Sequence, residues 1–240
     1  MTKGLVSIII PNHGRDLTKV KEAIHASIYR NYEIIVVDAG KERSAQRNIG
    51  IDAAKGEYLL FLDSDMLIHP SLLSECVRVW HNKDALYIPE QIVDKGWFSR
   101  VRNWERQFYT STPVDVVRFV RANRCPRFDE SMNGPEDSDW DRRVQGRRGA
   151  TYIPYLHDED VTFLSYFKKK AYYAKTMDKF IAKHPNDPLL NWRWRCIGVF
   201  VERGKWKRLF NLPMTISVMF ILLLRGVIYL WNKRNVKLVA

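Results

Sequence analysis

The chain has 240 residues, enough for one domain with an appendage and for a sizeable core. Its 46% hydrophobic and 28% charged content excludes a disordered or collagen-like chain. The net charge of +12 is uneven: residues 1–90 carry 11 basic and 12 acidic side chains (−1), and residues 91–240 carry 28 and 15 (+13), a field that attracts nucleic acid, an anionic membrane surface or a phosphorylated substrate.

Val6–Ile10 is a β-branched run stopped by Pro11, read as a strand buried on both faces, and the apolar run Leu5–Pro11 is too short for a secretory leader. Asn12–Arg15 is a loop in which Gly14 permits an unusual turn. Apolar residues at 17, 20, 24 and 28 predict a helix over Leu17–Tyr29, Glu33–Asp38 a second buried strand, and Ser44–Lys55 a helix ended by Gly56. Tyr58–Leu62 is a third strand running into Asp63-Ser64-Asp65, and Ser71–Trp80 a helix behind Pro70. This alternation predicts a parallel sheet covered by helices. Right-handed crossovers put the strand C-termini on one edge, so Asn12, Asp38, Asp63 and Asp65 converge where ligands of open α/β sheets bind.

From Lys95 the pattern changes. Ser99–Tyr109 is basic, aromatic and helical, Val114–Val120 a short strand, and Glu136–Val144 a helix opened by Asn133-Gly134-Pro135. Tyr152–Tyr155 reads as a last strand before His157-Asp-Glu-Asp160, and Thr162–His184 as a basic helical stretch. Leu209–Leu224 holds no charge, and with Val227–Trp231 it approaches the ~20 apolar residues of a spanning helix, interrupted by Pro213 and Arg225. Cys76, Cys125 and Cys196 form neither a disulfide framework nor a CxxC site, which suits a reducing cytosol.

Asp63 and Asp65, at i and i+2 after a strand, form either an Asp-rich turn or a pair facing one hard divalent cation. Asp38 either caps a helix or accepts hydrogen bonds from a ribose or base. Asp137, beside Glu136, is either a favourable helix start or a general base towards a hydroxyl. His157 is either structural or a metal ligand. No GxGxxG or GxxxxGK[ST] signature is present.

The stretches VSIIIPNHGR, EIIVVDAG, RSAQRNIGIDAAKGEYLLFLDSD and NGPEDSDWDRRV together resemble the family 2 glycosyltransferases of the GT-A group, the first three in family order and spacing. The resemblance implies a Rossmann-like, mostly parallel sheet flanked by helices, with a nucleotide-sugar-binding half (1–90) and an acceptor-binding half (91–160), followed by a basic helical region (161–240) that associates with membrane through 209–231. It implies that Pro11, Asn12, Gly14, Asp38, Arg47, Asp63 and Ser64 line a UDP- or GDP-sugar. Asp65, with Asp63 and His157, would hold Mg²⁺ or Mn²⁺, and Asp137, with Glu136, would act as catalytic base. Ala39 stands where the family usually has a second acid.

The reaction implied is metal-dependent, inverting transfer of a sugar from its nucleotide to a hydroxyl of a lipid-linked saccharide or other glycan. Transfer onto a polyprenyl phosphate is the alternative, and it needs no base. The cluster Arg193–Arg208, with six basic residues, one acid and Trp194 and Trp206, has the composition of a membrane interface, at the cytoplasmic face where nucleotide sugars are found. A nucleotidyltransferase would want a richer phosphate loop than Gly14-Arg15. A nucleic-acid partner is not expected, because no RNA or DNA module is visible and Asp63 and Asp65 would be idle.

Overall fold

A computed structural model describes residues 2–79, 82–132, 134–158, 162–173 and 177–237. Trp80, Asn133, Glu159 and Asp160, which figure in the sequence patterns above, lie outside these residues. In chain order the elements are β1 (Thr2–Pro11), α1 (Thr18–His25), β2 (Tyr32–Val37), α2 (Arg43–Ala53), β3 (Gly56–Phe61), β4 (Met66–Ile68), α3 (Leu72–Val79), β5 (Ala85–Tyr87) and β6 (Glu90–Ile92). They continue with α4 (Trp97–Arg106), β7 (Val117–Arg121), α5 (Glu136–Arg143), β8 (Arg148–Ala150), β9 (Tyr155–His157), α6 (Phe163–Tyr173), α7 (Met177–Lys183), the single turn α8 (Val199–Val201) and α9 (Leu212–Lys237). They fall into two compact units. The first is Met1–Val93, Asp115–Ser131 and Glu136–Glu159, and the second is Asp94–Val114, Met132–Pro135 and Asp160–Ala240.

The first unit is built on a six-stranded sheet ordered β2-β1-β3-β7-β5-β8. β1 pairs in parallel with β2 and β3, as the alternation predicts. β7 then runs antiparallel to both β3 and β5, so the sheet is mixed rather than purely parallel. Alternate residues of β1 and β3 enter cores on opposite faces: Val6, Ile8, Ile10 and Leu60 on one, Ile9, Leu59 and Phe61 on the other. β2 was expected to be a buried strand, but it lies at the sheet edge beside β1, and most of it is half-buried. The first helix is shorter than its apolar spacing predicts. It stops at His25, and Ile28 is exposed beyond it, its N–H donating to the Pro70 carbonyl. α2 lies close on β1 because Gly50 has no side chain; a Cβ there would stand 2.3 Å from Ile9 Cγ2.

A second sheet, β4-β9-β6, has strands of only three residues, too short to carry a period in sequence. The last predicted strand starts three residues later and ends two residues later than expected, and His157 ends it rather than following it.

In the second unit, the buried side chains of Val101, Trp104, Phe108, Tyr166, Phe167, Val199, Phe200, Val218 and Ile221 form one aromatic-rich core. α9 packs against α4 and α6 through Val218 and Ile221, and exposes Leu212, Ile216, Met219, Phe220, Leu223, Val227, Leu230 and Trp231. Among the described residues no helix is long and apolar enough to cross a membrane. Arg225 interrupts the apolar run and turns inward to the buried Glu105.

Candidate active site

The site sits at the C-terminal edge of β1, β2 and β3. Asn12 follows β1, is buried, and donates from Nδ2 to Asp38 Oδ1 at 2.8 Å, so the residues that follow the first two strands are tied together. Gln46 of α2 donates to the Asn12 carbonyl at 2.6 Å. Pro11 is buried at the end of β1 and Asp38 is exposed. Gly14 takes φ +71°, and its Cα faces open space. The next residue, Arg15, returns its backbone N–H to Asn12 Oδ1.

After β3 the chain turns, with Met66 N–H donating to the Asp63 carbonyl and Ser64 half-buried between the two acids. Asp63 and Asp65 point to different partners. Asp63 faces Arg47, whose Nη2 lies 2.9 Å from Oδ1, and Arg118, whose Nη1 lies 3.8 Å from Oδ2. Both guanidiniums also reach Asp137: Arg47 Nη1 pairs with Oδ1, and Arg118 Nη2 lies 3.5 Å from Oδ2. Each arginine thus bridges the same two carboxylates. Burial pushes the Asp63 carboxyl up, but Arg47 and Arg118 outweigh it, and the group ends far below the usual carboxylate range.

This cage follows from the local sequence. α2 buries Gln46, Arg47 and Asn48 in succession, and each holds a different piece of the edge. Asn48 exchanges hydrogen bonds with the Phe128 backbone, over whose ring Arg47 Cζ lies at 5.0 Å. On α5, Asp137 and Asp141 are one turn apart and share a face. Asp141 Oδ1 accepts the Val117 N–H at 2.9 Å, which seats α5 beside the start of β7 and brings Asp137 to Arg118. Trp140 packs the same helix onto Phe128 and Phe61. Glu136 is buried. Burial, and then the neighbouring Asp137, push its carboxyl up.

Asp65 belongs to a second cluster. His157, in the central strand of the small sheet, places Nε2 3.2 Å from Asp65 Oδ1 and Nδ1 2.6 Å from Glu90 Oε1. Arg15, whose side chain is 58% exposed, places Nη1 2.6 Å from Asp65 Oδ2. Burial works against a charged imidazole, yet Asp65 and Glu90 prevail and push His157 up to about 9. Burial likewise pushes Asp65 up, and the His157 and Arg15 contacts bring it below its ordinary value.

The expected metal residues therefore divide. Asp65 and His157 meet, while Asp63 turns away to the arginines. Among the described residues no group of three His, Cys, Asp or Glu is arranged to hold an ion. One carboxylate and one imidazole do suit two positions of a divalent ion's shell if Arg15 swings out and His157 gives up its proton. Arg118 and Glu90 are absent from the sequence reading. An arginine inside the apolar run VRFV was the available signal for Arg118, and antiparallel pairing of β7, with Phe119 opposite Leu60, is what delivers it to the end of β3.

The profile of the family "Glycosyl transferase family 2" matches residues 40–132, which include Asp63 and Asp65 and stop short of Glu136 and Asp137. Glycosyltransferase GlyG of Streptococcus pneumoniae is 30% identical over 34% of this chain and 36% of its own, so the chain spans about a third of that relative's length. An uncharacterized glycosyltransferase of Haemophilus influenzae is 21% identical over 70% of each chain. Among solved structures, the mannosyltransferase PcManGT of Pyrobaculum calidifontis, in complex with GDP-Man and Mn²⁺, superposes with a TM-score of 0.60 at 16% identity, covering 95% of this chain and 87% of that one. TarS 1-349 of S. aureus, in complex with UDP-GlcNAc, gives 0.52 at 16% identity over 95% and 89%. At such identity the structural likeness concerns the fold alone, a mixed α/β sheet with helices consistent with a GT-A-like Rossmann fold. The chain is thus similar to family 2 glycosyltransferases over residues 40–132 and to glycosyltransferases in its fold.

Proposed function

We propose that the chain transfers a hexosyl group from a UDP- or GDP-sugar to a hydroxyl of a lipid-linked saccharide or other glycan, with inversion. The observation that carries this reading is the double bridge by which Arg47 and Arg118 each join Asp63, at the end of β3, to Asp137, at the start of α5. It fixes a carboxylate suited to proton abstraction beside the strand ends where a nucleotide would lie.

In the proposed reaction Pro11, Asn12, Gly14, Asp38 and Ser64 line the nucleotide, and Asp63, oriented by Arg47, faces its ribose or diphosphate. The acceptor hydroxyl loses its proton to Asp137 as its oxygen attacks the anomeric carbon and the nucleoside diphosphate leaves from the opposite face. Glu136, whose carboxyl is pushed above its ordinary value by burial and then by Asp137, shapes the base's surroundings. Asp65 and His157 would hold Mg²⁺ or Mn²⁺, which when bound neutralises charge on the leaving diphosphate. Arg15, which pairs with Asp65 in the ligand-free chain, would then be free to pair with a phosphate oxygen.

General-base assistance contributes about 10²–10⁴-fold. Asp137→Asn preserves shape, so turnover should fall by that order while UDP or GDP binding, followed by calorimetry, stays close to wild type. Near-normal transfer by the variant would remove the base role and leave a polyprenyl phosphate as the acceptor.

We also place the protein at the cytoplasmic face of the membrane, in the interface rather than across it. The support is the exposed apolar row on α9 from Leu212 to Trp231, together with exposed Trp206 and Phe210 beside Lys207 and Arg208.

A further inference from the structure

The exposed side of α9 and the segment before it carry features that sugar transfer does not use. On α9 the exposed apolar residues recur at Leu212, Ile216, Phe220, Leu223, Val227 and Trp231, spacings of three and four that fall on one face. Val218 and Ile221 are buried on the other side. At 1.5 Å per residue the stripe is roughly 28 Å long. The single charge between Leu212 and Trp231 is Arg225, and it turns inward to Glu105, so the described exposed residues of the stripe are all uncharged.

The segment Glu202–Phe210 precedes α9 and holds four cations of two kinds. Lys205 Nζ donates to the Phe108 carbonyl at 2.5 Å, and Arg208 Nη1 to the Gln107 carbonyl at 3.0 Å, just past the C-terminus of α4, where the helix dipole favours positive charge. These two fasten the segment. Arg203 and Lys207 are exposed, and among the described residues neither has a hydrogen-bond or ion-pair partner. Arg203 also holds φ 54° and ψ 30°, a left-handed conformation that suits Gly or Asn and that other residues rarely adopt. Trp206 and Phe210 flank Lys207 in sequence, both exposed, with ring centres 5.9 Å apart. Thr215 Oγ1 donates to the Leu209 carbonyl at 2.8 Å, which ties the segment to the first turn of α9.

We infer that the segment and the stripe form one docking surface for a bilayer whose headgroups carry net negative charge. Arg203 and Lys207 meet the headgroup charge, while Trp206, Phe210 and the stripe enter the apolar boundary. The assignment rests on the interfacial placement proposed above and specifies the charge of the lipid and the two side chains that read it. Aromatic rings beside cations suit the headgroup level, where apolar and aqueous surroundings meet. Charge also decides among occupants. Arg193–Arg208 holds six basic residues and one acid, so a second copy docked by the same face would set like charge against like. An uncharged apolar stripe gives the phosphates of a nucleic acid nothing to pair with. An anionic bilayer offers the charge and the apolar boundary in one surface.

The experiment uses the full chain. Flotation is measured with phosphatidylcholine vesicles with and without phosphatidylglycerol, at low and high salt, and sedimentation velocity gives the oligomeric state without vesicles. Arg203→Asn and Lys207→Gln are compared with wild type. Asn tolerates the left-handed backbone and Lys207 is exposed, so both variants should keep the wild-type melting temperature. Wild type should bind the phosphatidylglycerol vesicles about tenfold or more tightly than the neutral ones, a preference that fades at high salt. Each variant should lose about fivefold of that binding, the worth of one cation near an anionic surface, and none of its binding to neutral vesicles. Equal binding of wild type to both vesicles overturns the inference and leaves the interfacial placement standing. A preference for phosphatidylglycerol that both variants keep in full also overturns it. Binding to neither vesicle overturns inference and placement together, and a dimer that Leu223→Glu dissociates would then name a second copy as the occupant.

Discussion

Both compact units bury a carboxylate between two guanidinium groups, but they balance the charge differently. In the first unit Arg47 and Arg118 face Asp63 and Asp137, two against two. In the second unit Arg102 and Arg225 face Glu105 alone, with Lys170 nearby. A balanced cage fixes the position of its acids, so one of them can serve as a base in a defined place. An unbalanced one holds a single acid between two guanidinium groups.

The largest expected effect comes from breaking the balanced cage. Arg47→Met leaves Asp63 and Asp137 sharing Arg118 alone. Removing one partner of a buried pair costs about 3–5 kcal/mol, and urea unfolding should register a loss of that order together with loss of turnover. The unbalanced cluster should respond asymmetrically. Glu105→Gln strips both guanidiniums of their counter-charge and should cost a similar ~3–5 kcal/mol, whereas Arg225→Met leaves Glu105 with Arg102 and Tyr109 and should cost clearly less. Equal losses for the two substitutions would mean that Arg225 is not in surplus and would end the comparison.

A third, smaller effect lies in pH. His157 is pushed up to about 9 in the folded chain, from an ordinary value of 6.5. Its folded value is the higher one, so its contribution is complete below pH 6.5 and is lost as pH rises through about 9. The ligand-free protein should lose on the order of 1–3 kcal/mol across that window, and His157→Gln should flatten the profile of unfolding free energy against pH. The smallest effect on stability is expected at the surface of α9. Phe220→Glu and Leu223→Glu lie on its exposed row and should change stability by no more than about 0.5 kcal/mol. If the row rests on a membrane, vesicle binding should nevertheless drop sharply.

The sequence made one part of the molecule plain and hid another, for physical reasons. β1, α2, β3 and their turns were legible because long β-branched runs and helical spacing state both element and direction. The family-like run over residues 43–65 then placed Arg47, Asp63 and Asp65 on one edge. The three-residue strands β4, β5, β6 and β8 carry no readable period, and with β4 and β6 unseen, the position of His157 between Asp65 and Glu90 could not be foreseen. Arg118 was hidden by strand direction, since only antiparallel pairing carries the start of β7 to the end of β3. Arg225 was read as an obstacle within an apolar helix, because its partner Glu105 is 120 residues away in the chain.

Gly50 gives the seat of α2 a consequence beyond packing. The absence of a side chain lets the helix rest directly on Ile9, and Arg47 lies three residues earlier on the same helix. The depth of that seat is therefore a gauge for how far Arg47 can reach. A single added methyl would raise the helix as a shim raises a hinge, lifting the guanidinium from both acids while every charged group remained in the sequence. Tuning of this site is thus open to changes of thickness between helix and strand, at a position that carries no charge.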